Sequence, residues 1–383
     1  MSIAKSSRKG VTFHNPLKAD DGYTLFCPQG DYDVWLIDME GRIVHRWKMP
    51  NVPGSHGMLL LNGHLLFAGR VVSNPKDLGL PPECSGLGGV ILEVDWDGNL
   101  VWEADVPYQN HDLQYRKNGH VIFTSFHPDG FLPEEIAARV RGGRPGTEFN
   151  GKILGDSVIE IDREGTTVWE WRAYEHLDPE IDTICPMERR TAWPYINSIW
   201  VCNDGNILLS TRHINQATKI DYQTGKVIGR YGRGKIAHQH DCRELDNSNI
   251  LIFDNGSHRH NYGPTYSRSV EIDPDTDEIV WEYKADPPSD FYSAICGGNE
   301  RLPNGNTLIC DTWKGRIFEV TAEGELVWEY MSPFMGWRSM GIYSNWMWRA
   351  HRYSRDYPGL KGKDLDPSRF PWENRVFGPD AFR

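Results

Sequence analysis

No run of this 383-residue chain approaches the ~20 consecutive apolar residues that a membrane-spanning helix needs, so no membrane partner is expected. The opening residues, MSIAKSSRKGVTFHNP, lack the apolar core of a secretion signal. Basic residues are in the minority, 41 Lys and Arg against 53 Asp and Glu, and they form no stripe, which argues against a nucleic-acid partner. Cysteine is sparse: seven residues, an odd number, with no CxxC pair. That pattern fits reduced thiols in a cytoplasmic protein better than a disulfide framework. No HExxH motif is present either. These absences leave a cytoplasmic protein whose partner is a small molecule, and they are silent on oligomeric state.

What the chain has in abundance is one repeated phrase. The copies read VWLIDMEGRIVHRW, ILEVDWDGNLVWEA, VIEIDREGTTVWEW, ATKIDYQTGKVIGRY, VEIDPDTDEIVWEY and IFEVTAEGELVWEY. Their turn positions are Gly41, Gly98, Gly165, Gly225, Asp277 and Gly324. Each phrase sets two alternating apolar runs around an acidic turn, the pattern of a β-hairpin. A second hairpin lies between successive copies, with turns at Asn62-Gly63, Asn118-Gly119, Asp204-Gly205, Asn247-Ser248 and Asn304-Gly305. Asn-Gly and Asp-Gly supply the positive φ values of a two-residue type I′ turn.

Four short antiparallel strands per repeat predict an all-β fold, a six-bladed β-propeller spanning residues 1–383 as one domain, with blades over roughly 22–363. Gly22–Phe26 and Tyr343–Tyr353 are the expected closing elements, since an open sheet edge invites aggregation. Trp102, Trp169, Trp281 and Trp328 occupy one equivalent position and are expected to pack between blades. Insertions at 128–153, with a short helix in PEEIAARVRG, and at 172–195 interrupt the repeat and are expected to wall one face. The last ~30 residues form a strap.

The first strand of each blade lines the channel of a propeller. Counting eight residues back from each inner turn reaches Ser55, His111, Asn197, His240 and Gly297, and seven forward reaches Arg70, Phe126, Arg212, Asn255 and Thr312. In a regular two-residue hairpin these are facing pairs. One level of the channel therefore carries His111, Asn197, His240, Arg70, Arg212 and Asn255, with His56 beside Ser55 and His127, His213 and His258 just beyond. A single histidine is more often a hydrogen-bonded structural side chain; His111 and His240 at matched register favour function. In the repeated His-Asp, residues 111–112 and 240–241, each Asp is expected to anchor backbone or a neighbouring blade, because adjacent strand residues face opposite sides. Trp193, Phe291, Tyr292, Trp337 and Trp346 are the aromatics available to stack on a substrate, or to pack blades.

The opening GYTLFCPQGDYDVWLIDMEGRIVHRW, the paired HDLQYRKNGHVIF and HDCRELDNSNILIF, and the closing NWMWRAHRYSRDYPGL resemble segments of the arylsulfotransferase-like propellers, over roughly residues 22–363. The resemblance implies sulfuryl transfer from a phenolic sulfate ester to another phenol through a histidine nucleophile, with no nucleotide donor and no cofactor. It makes His240 the nucleophile and His111 the acid or base. Arg70 and Arg212 become the anion clamp, with Asn197, Asn255, His213 and His258 binding substrate. The chain departs from that pattern at Gly297, where a late-blade histidine is expected. An alternative therefore stands beside it: His56, His111 and His240, from three blades, as ligands of one divalent transition metal (Zn²⁺, Fe²⁺ or Ni²⁺) in a hydrolase or lyase. The His238-Gln-His240 pair on a strand is a further metal-capable motif. A non-catalytic binding scaffold is a third reading, weakened by a ring of His and Arg that scaffolds do not need.

Overall fold

A computed structural model of the chain describes residues 8–72, 74–84, 86–259, 263–337 and 341–382. The fold is a six-bladed β-propeller. Blade 1 joins the two ends of the chain: Met347–Ser354 is its first strand, followed by Gly22–Pro28, Asp33–Ile37 and Ile43–Lys48. Blade 2 is Pro53–Leu59, Leu65–Arg70, Gly89–Val94 and Leu100–Asp105; blade 3 is Gln109–Tyr115, Val121–Phe131, Leu154–Ile161 and Thr167–Arg172. Blade 4 is Ile196–Val201, Ile207–Thr211, Gln216–Ile220 and Val227–Tyr231; blade 5 is His240–Glu244, Ile250–Asp254, Arg268–Ile272 and Ile279–Tyr283. Blade 6, Gly298–Arg301 through Leu326–Met331, gains a fifth, outermost strand from Gly10–His14. The expected closure by both termini is present, and the extra strand covers an edge that the repeat alone leaves open.

The alternation in the sequence sets the burial. Second strands such as Ile250–Asp254 are buried throughout, whereas last strands such as Ile279–Tyr283 alternate half-buried with exposed up to a buried final residue, Tyr283. The apolar faces meet between blades. Ile122, Trp171, Ile196 and Leu209 share one core, and Cys202, Leu208, Ile252 and Val270 share another. The tryptophans of the repeated phrase peg one blade to the next: Trp169 Nε1 donates to Tyr222 O (3.1 Å) and Trp328 Nε1 to Met39 O (2.8 Å). Trp328 is buried and Trp169 half-buried, each with its indole N–H satisfied across the blade boundary.

Two compact units are resolved. One is Met1–Gly69, Ile91–Glu103 and Cys296–Arg383; the other is Arg70–Val90 and Ala104–Ile295. In the first, the strap forms a short helix, Pro371–Phe377, whose Asn374 side chain caps Ile43 of blade 1 through both its oxygen (2.7 Å) and its nitrogen (2.9 Å). In the second, the expected helix of the first insertion is a single turn, Glu134–Ala137, and the two insertions pair with one another through Gly142–Arg144 and Ile184–Arg189. All seven cysteines are buried free thiols. Among the described residues no helix is long and apolar enough to cross a membrane.

The turns correct one expectation. Arg116 N donates to His120 O and Gly119 N to Arg116 O, both at 2.9 Å, and only Gly119 has positive φ. This is a three-residue type I turn closed by a left-handed residue, not a two-residue type I′ turn. The extra residue shifts every inner hairpin by one, so the facing pairs read from the sequence do not form. His240 pairs with Phe253 instead of Asn255, Ile196 rather than Asn197 sits near the end of its ladder opposite Thr211, and Gly298 faces Cys310.

Candidate functional site

The first strands of blades 2 to 5 lose register near one end: between Pro53 and Gly57, across the partners of Phe123 and Ser125, between Ile196 and Ser198, and between His240 and Cys242. His111 and Asp241 stand in left-handed backbone there, each at φ 50. A bulge re-aims a side chain that a regular strand would point into the sheet. Asp112 does what the alternation implied, accepting from Leu113 N (2.9 Å) and, across to blade 4, from Ile199 N (2.8 Å), while Asp241 accepts from Arg243 Nε of its own strand (3.1 Å).

His240 is buried, and its Nδ1 lies 2.8 Å from Asn255 Oδ1. The bulge thus restores through side chains the pairing that the backbone lacks. Asn255 is held in turn, its Nδ2 donating to Ser293 O at 2.7 Å. That bond fixes the amide with its oxygen toward the imidazole, so His240 Nδ1 carries the proton and Nε2 the lone pair. His111 is equally buried and is set the opposite way. Its Nδ1 lies 2.8 Å from the Asn110 carboxamide, which satisfies its surroundings when its oxygen accepts from Phe126 N (2.8 Å) and its nitrogen donates to Ile196 O (3.3 Å) and to His111. In that assignment His111 Nδ1 is an acceptor and Nε2 carries the hydrogen.

Rings link His111 to a second group of side chains in the same unit. Tyr195 meets His111 edge-on (5.3 Å between centroids) and stacks on His213 (4.4 Å). Around them Glu188 is the hub: its Oε2 is 3.1 Å from Arg212 Nη1, 3.8 Å from His213 Nε2 and 3.3 Å from His238 Nδ1. His258 packs edge-on against His238 (4.2 Å), and its Nδ1 is 3.7 Å from Cys185 Sγ. Burial pushes the Glu188 carboxyl up, but His213, Arg212, the Arg189 N–H and His258 outweigh it and hold the group below the usual carboxylate range. Burial drives His213 down to about 4 and His238 well below its ordinary value, and lowers His258 as well. Near neutrality this patch is a Glu⁻–Arg⁺ pair among neutral imidazoles.

The residues expected from the sequence divide accordingly. Arg212, His213 and His258 come together around Glu188; His111 joins them through Tyr195; His240 and Asn255 form a pair. Arg212, expected in the anion clamp, has one guanidinium nitrogen on the Glu188 carboxylate, a residue the register did not reach. Asn197, expected as a substrate donor, instead donates from Nδ2 to Gln239 O (2.9 Å) and staples blade 4 to blade 5. Arg70 ends the second strand of blade 2, and burial lowers its guanidinium to about 10. His56, in the other unit, has its Nδ1 at 3.4 Å from His351 Nε2, and His351 Nδ1 lies 3.0 Å from Glu300 Oε2. The side chain of His127 lies outside the described residues. Of the stacking candidates, Trp193 and Phe291 are fully buried core, Trp346 is buried and stacks on Trp313, and Trp337 is exposed. Glu188, Cys185 and Tyr195 sit in or beside the 172–195 insertion, outside the repeat, so no register pointed to them; the insertion's length was the one signal.

A family model described as Arylsulfotransferase (ASST) matches residues 64–332. No curated protein matches in sequence. Among solved structures, a protein of unknown function from Bacteroides caccae is similar, with a TM-score of 0.55 at 13% identity over 87% of this chain and 98% of its own. A catalytically inactive virginiamycin B lyase from Staphylococcus aureus with quinupristin gives a TM-score of 0.46 at 12% identity, covering 84% and 88%. The WD40 β-propeller domain of Doa1 gives 0.44 at 13%, covering 87% and 95%. The first of these likenesses speaks to the fold alone.

Proposed function

Because the chain belongs to the arylsulfotransferase family, we propose that it transfers a sulfuryl group from an aryl sulfate to a phenolic acceptor through His240. The observation that supports this reading is the different amide contacts of two buried histidines, from which opposite tautomers are assigned. His240, with Nδ1–H given to Asn255, presents a lone pair at Nε2. His111, with Nδ1 accepting from Asn110, presents an Nε2–H. A neutral imidazole lone pair is the nucleophile this chemistry needs. An N–H fixed in a dry site is a donor for charge that develops on the leaving oxygen.

The His240 Nε2 lone pair forms an N–S bond as the S–O(aryl) bond breaks, and its electron pair leaves on the phenolate oxygen. That oxygen accepts a hydrogen bond from His111 Nε2–H. The sulfated ring keeps its Nδ1–H on Asn255 Oδ1. The departing phenolate takes a proton from solvent, an acceptor phenol gives one to solvent, and the resulting phenolate attacks sulfur and returns the lone pair to His240. In this form His111 stabilises the leaving oxygen as a hydrogen-bond donor and does not surrender its proton, because a neutral imidazole that did so would become an imidazolate. This replaces the acid/base role expected of it with that of a hydrogen-bond donor. Arg212 and Arg70 remain the candidates for sulfate oxygens, with Arg212 shared between substrate and Glu188.

Aryl-sulfate turnover tests the reading. Phenol release that rises with a phenolic acceptor and persists after chelation is the expected result. Release of inorganic sulfate into water regardless of acceptor, or activity that a chelator abolishes and one divalent ion restores, favours instead the metal-dependent hydrolase or lyase.

A further inference from the structure

Two groups of metal-capable side chains occur among the described residues: Cys202 with Asp204 and Glu244, and Cys185 with His238 and His258. The first already holds a cation of the protein's own. Lys219 Nζ lies 2.9 Å from Asp204 Oδ2 and 3.1 Å from Glu244 Oε1. No lysine or arginine among the described residues is bonded to a member of the second group.

That second group gathers three separate segments. Cys185 comes from the 172–195 insertion, His238 from the run into blade 5, and His258 from the loop after that blade's second strand. One ligand atom from each lies within 4.8 Å of the others, and Cys185 Sγ stands 3.7 Å from His258 Nδ1. Bonds of about 2.3 Å to sulfur and about 2.0 Å to nitrogen around a tetrahedral ion put two such ligands roughly 3.5 Å apart. His238 decides the matter. It is fully buried, and among the described residues neither ring nitrogen makes a hydrogen bond. A buried imidazole left without partners is costly unless something else engages it. Its Nδ1 lies 3.3 Å from Glu188 Oε2 without being aligned for a bond. A small turn of the ring lets the carboxylate take Nδ1–H, which leaves the Nε2 lone pair for a metal, as outer carboxylates commonly do for ligating histidines.

We propose that Cys185, His238 and His258 bind a thiophilic divalent cation of the Zn²⁺ class, with Glu188 orienting His238 and a fourth position open. One thiolate and two imidazoles favour Zn²⁺ over the oxygen-seeking Mg²⁺ and Ca²⁺. Binding releases the thiol proton of Cys185 to solvent and forms the S–metal bond. The site shares no residue with the His56, His111 and His240 set read from the sequence. It pins the insertion to blade 5 two residues from His240, and it stands whether or not the protein transfers sulfuryl groups.

The test uses the full-length protein, stripped with chelator, desalted, and titrated with Zn²⁺ and separately with Co²⁺. One equivalent of each binds, and Co²⁺ develops a near-ultraviolet thiolate-to-cobalt charge-transfer band. Cys185→Ser removes that band, His258→Ala abolishes stoichiometric binding, and Glu188→Gln weakens Zn²⁺ by about ten- to a hundredfold. Cys202→Ser leaves binding unchanged. Circular dichroism and a thermal melt establish that each variant is folded; should Cys185→Ser fail to fold, His258→Ala, at an exposed loop position, decides alone. Absence of stoichiometric binding, a cobalt spectrum without the thiolate band, or binding unchanged in both Cys185→Ser and His258→Ala overturns the site.

Discussion

His240 in blade 5 and His56 in blade 2 are both buried histidines at the bulged end of a first strand, yet they are held by different chemistry. His240 leans on an amide, Asn255, which is itself tied to Ser293 O. His56 leans on another imidazole, His351, which faces the Glu300 carboxylate. An amide does not titrate, so it fixes one tautomer at every working pH. A histidine–carboxylate chain can pass a proton along itself. The first support suits a ring that must offer the same nitrogen each turnover; the second suits a ring whose proton is allowed to move. This contrast is the reason the covalent step is proposed at His240 rather than at His56.

The largest expected effect breaks the pair apart. His240→Ala should lower aryl-sulfate turnover by at least about a thousandfold, as loss of a nucleophile commonly does, while His56→Ala still forms a covalent sulfated protein. Rate assays on both variants, with circular dichroism to confirm folding, check this; equal losses would erase the distinction. Next, Asn255→Leu should reduce turnover by about ten- to a hundredfold by releasing the ring's orientation, with a smaller change in KM than in kcat. A full rate in that variant would mean that the amide does not set the tautomer.

How far the sequence anticipates these results depends on where a residue lies in the repeat. The six outer turns and five inner turns name the blades outright, because left-handed glycines recur where the chain must reverse. Those same turns mislead on register: Asn118-Gly119 looks like a two-residue hairpin, yet Arg116 and His120 close a loop one residue longer. Matched position still singles out His111 and His240, since both sit in their own blades' bulges. Glu188 and Cys185 escape notice because an insertion has no equivalent in other blades against which to be aligned. The tautomer of His111 escapes too, since it turns on how the Asn110 amide faces Phe126 N.

A moderate effect compares the two units through their buried histidines. Burial holds His213 in one unit and His45 in the other near 4, against about 6.5 in an unfolded chain. A histidine depressed in the folded state favours folding above its unfolded value, and that contribution is lost as pH falls from about 6.5 toward about 4. Over that full range each is on the order of 3 kcal/mol. The urea midpoint should therefore be lower at pH 5 than at pH 7.5; an unchanged or higher midpoint would contradict the burial argument. The smallest effect falls on the carboxylate end of the His56 chain. Glu300→Gln should change the rate of protein sulfation by less than about threefold, the scale of an indirect charge effect screened by intervening groups, and a stopped-flow burst of phenol reports it. A large loss there would move His56 into the covalent step.

The most direct measurement is intact-protein and peptide mass spectrometry after mixing with an aryl sulfate in the absence of acceptor. The expected result is a gain of one sulfuryl group, located on His240, present in the His56→Ala protein, absent from His240→Ala, and discharged when a phenol is added. A sulfuryl group on any other residue, or no adduct while phenol is released, would contradict nucleophilic catalysis by His240.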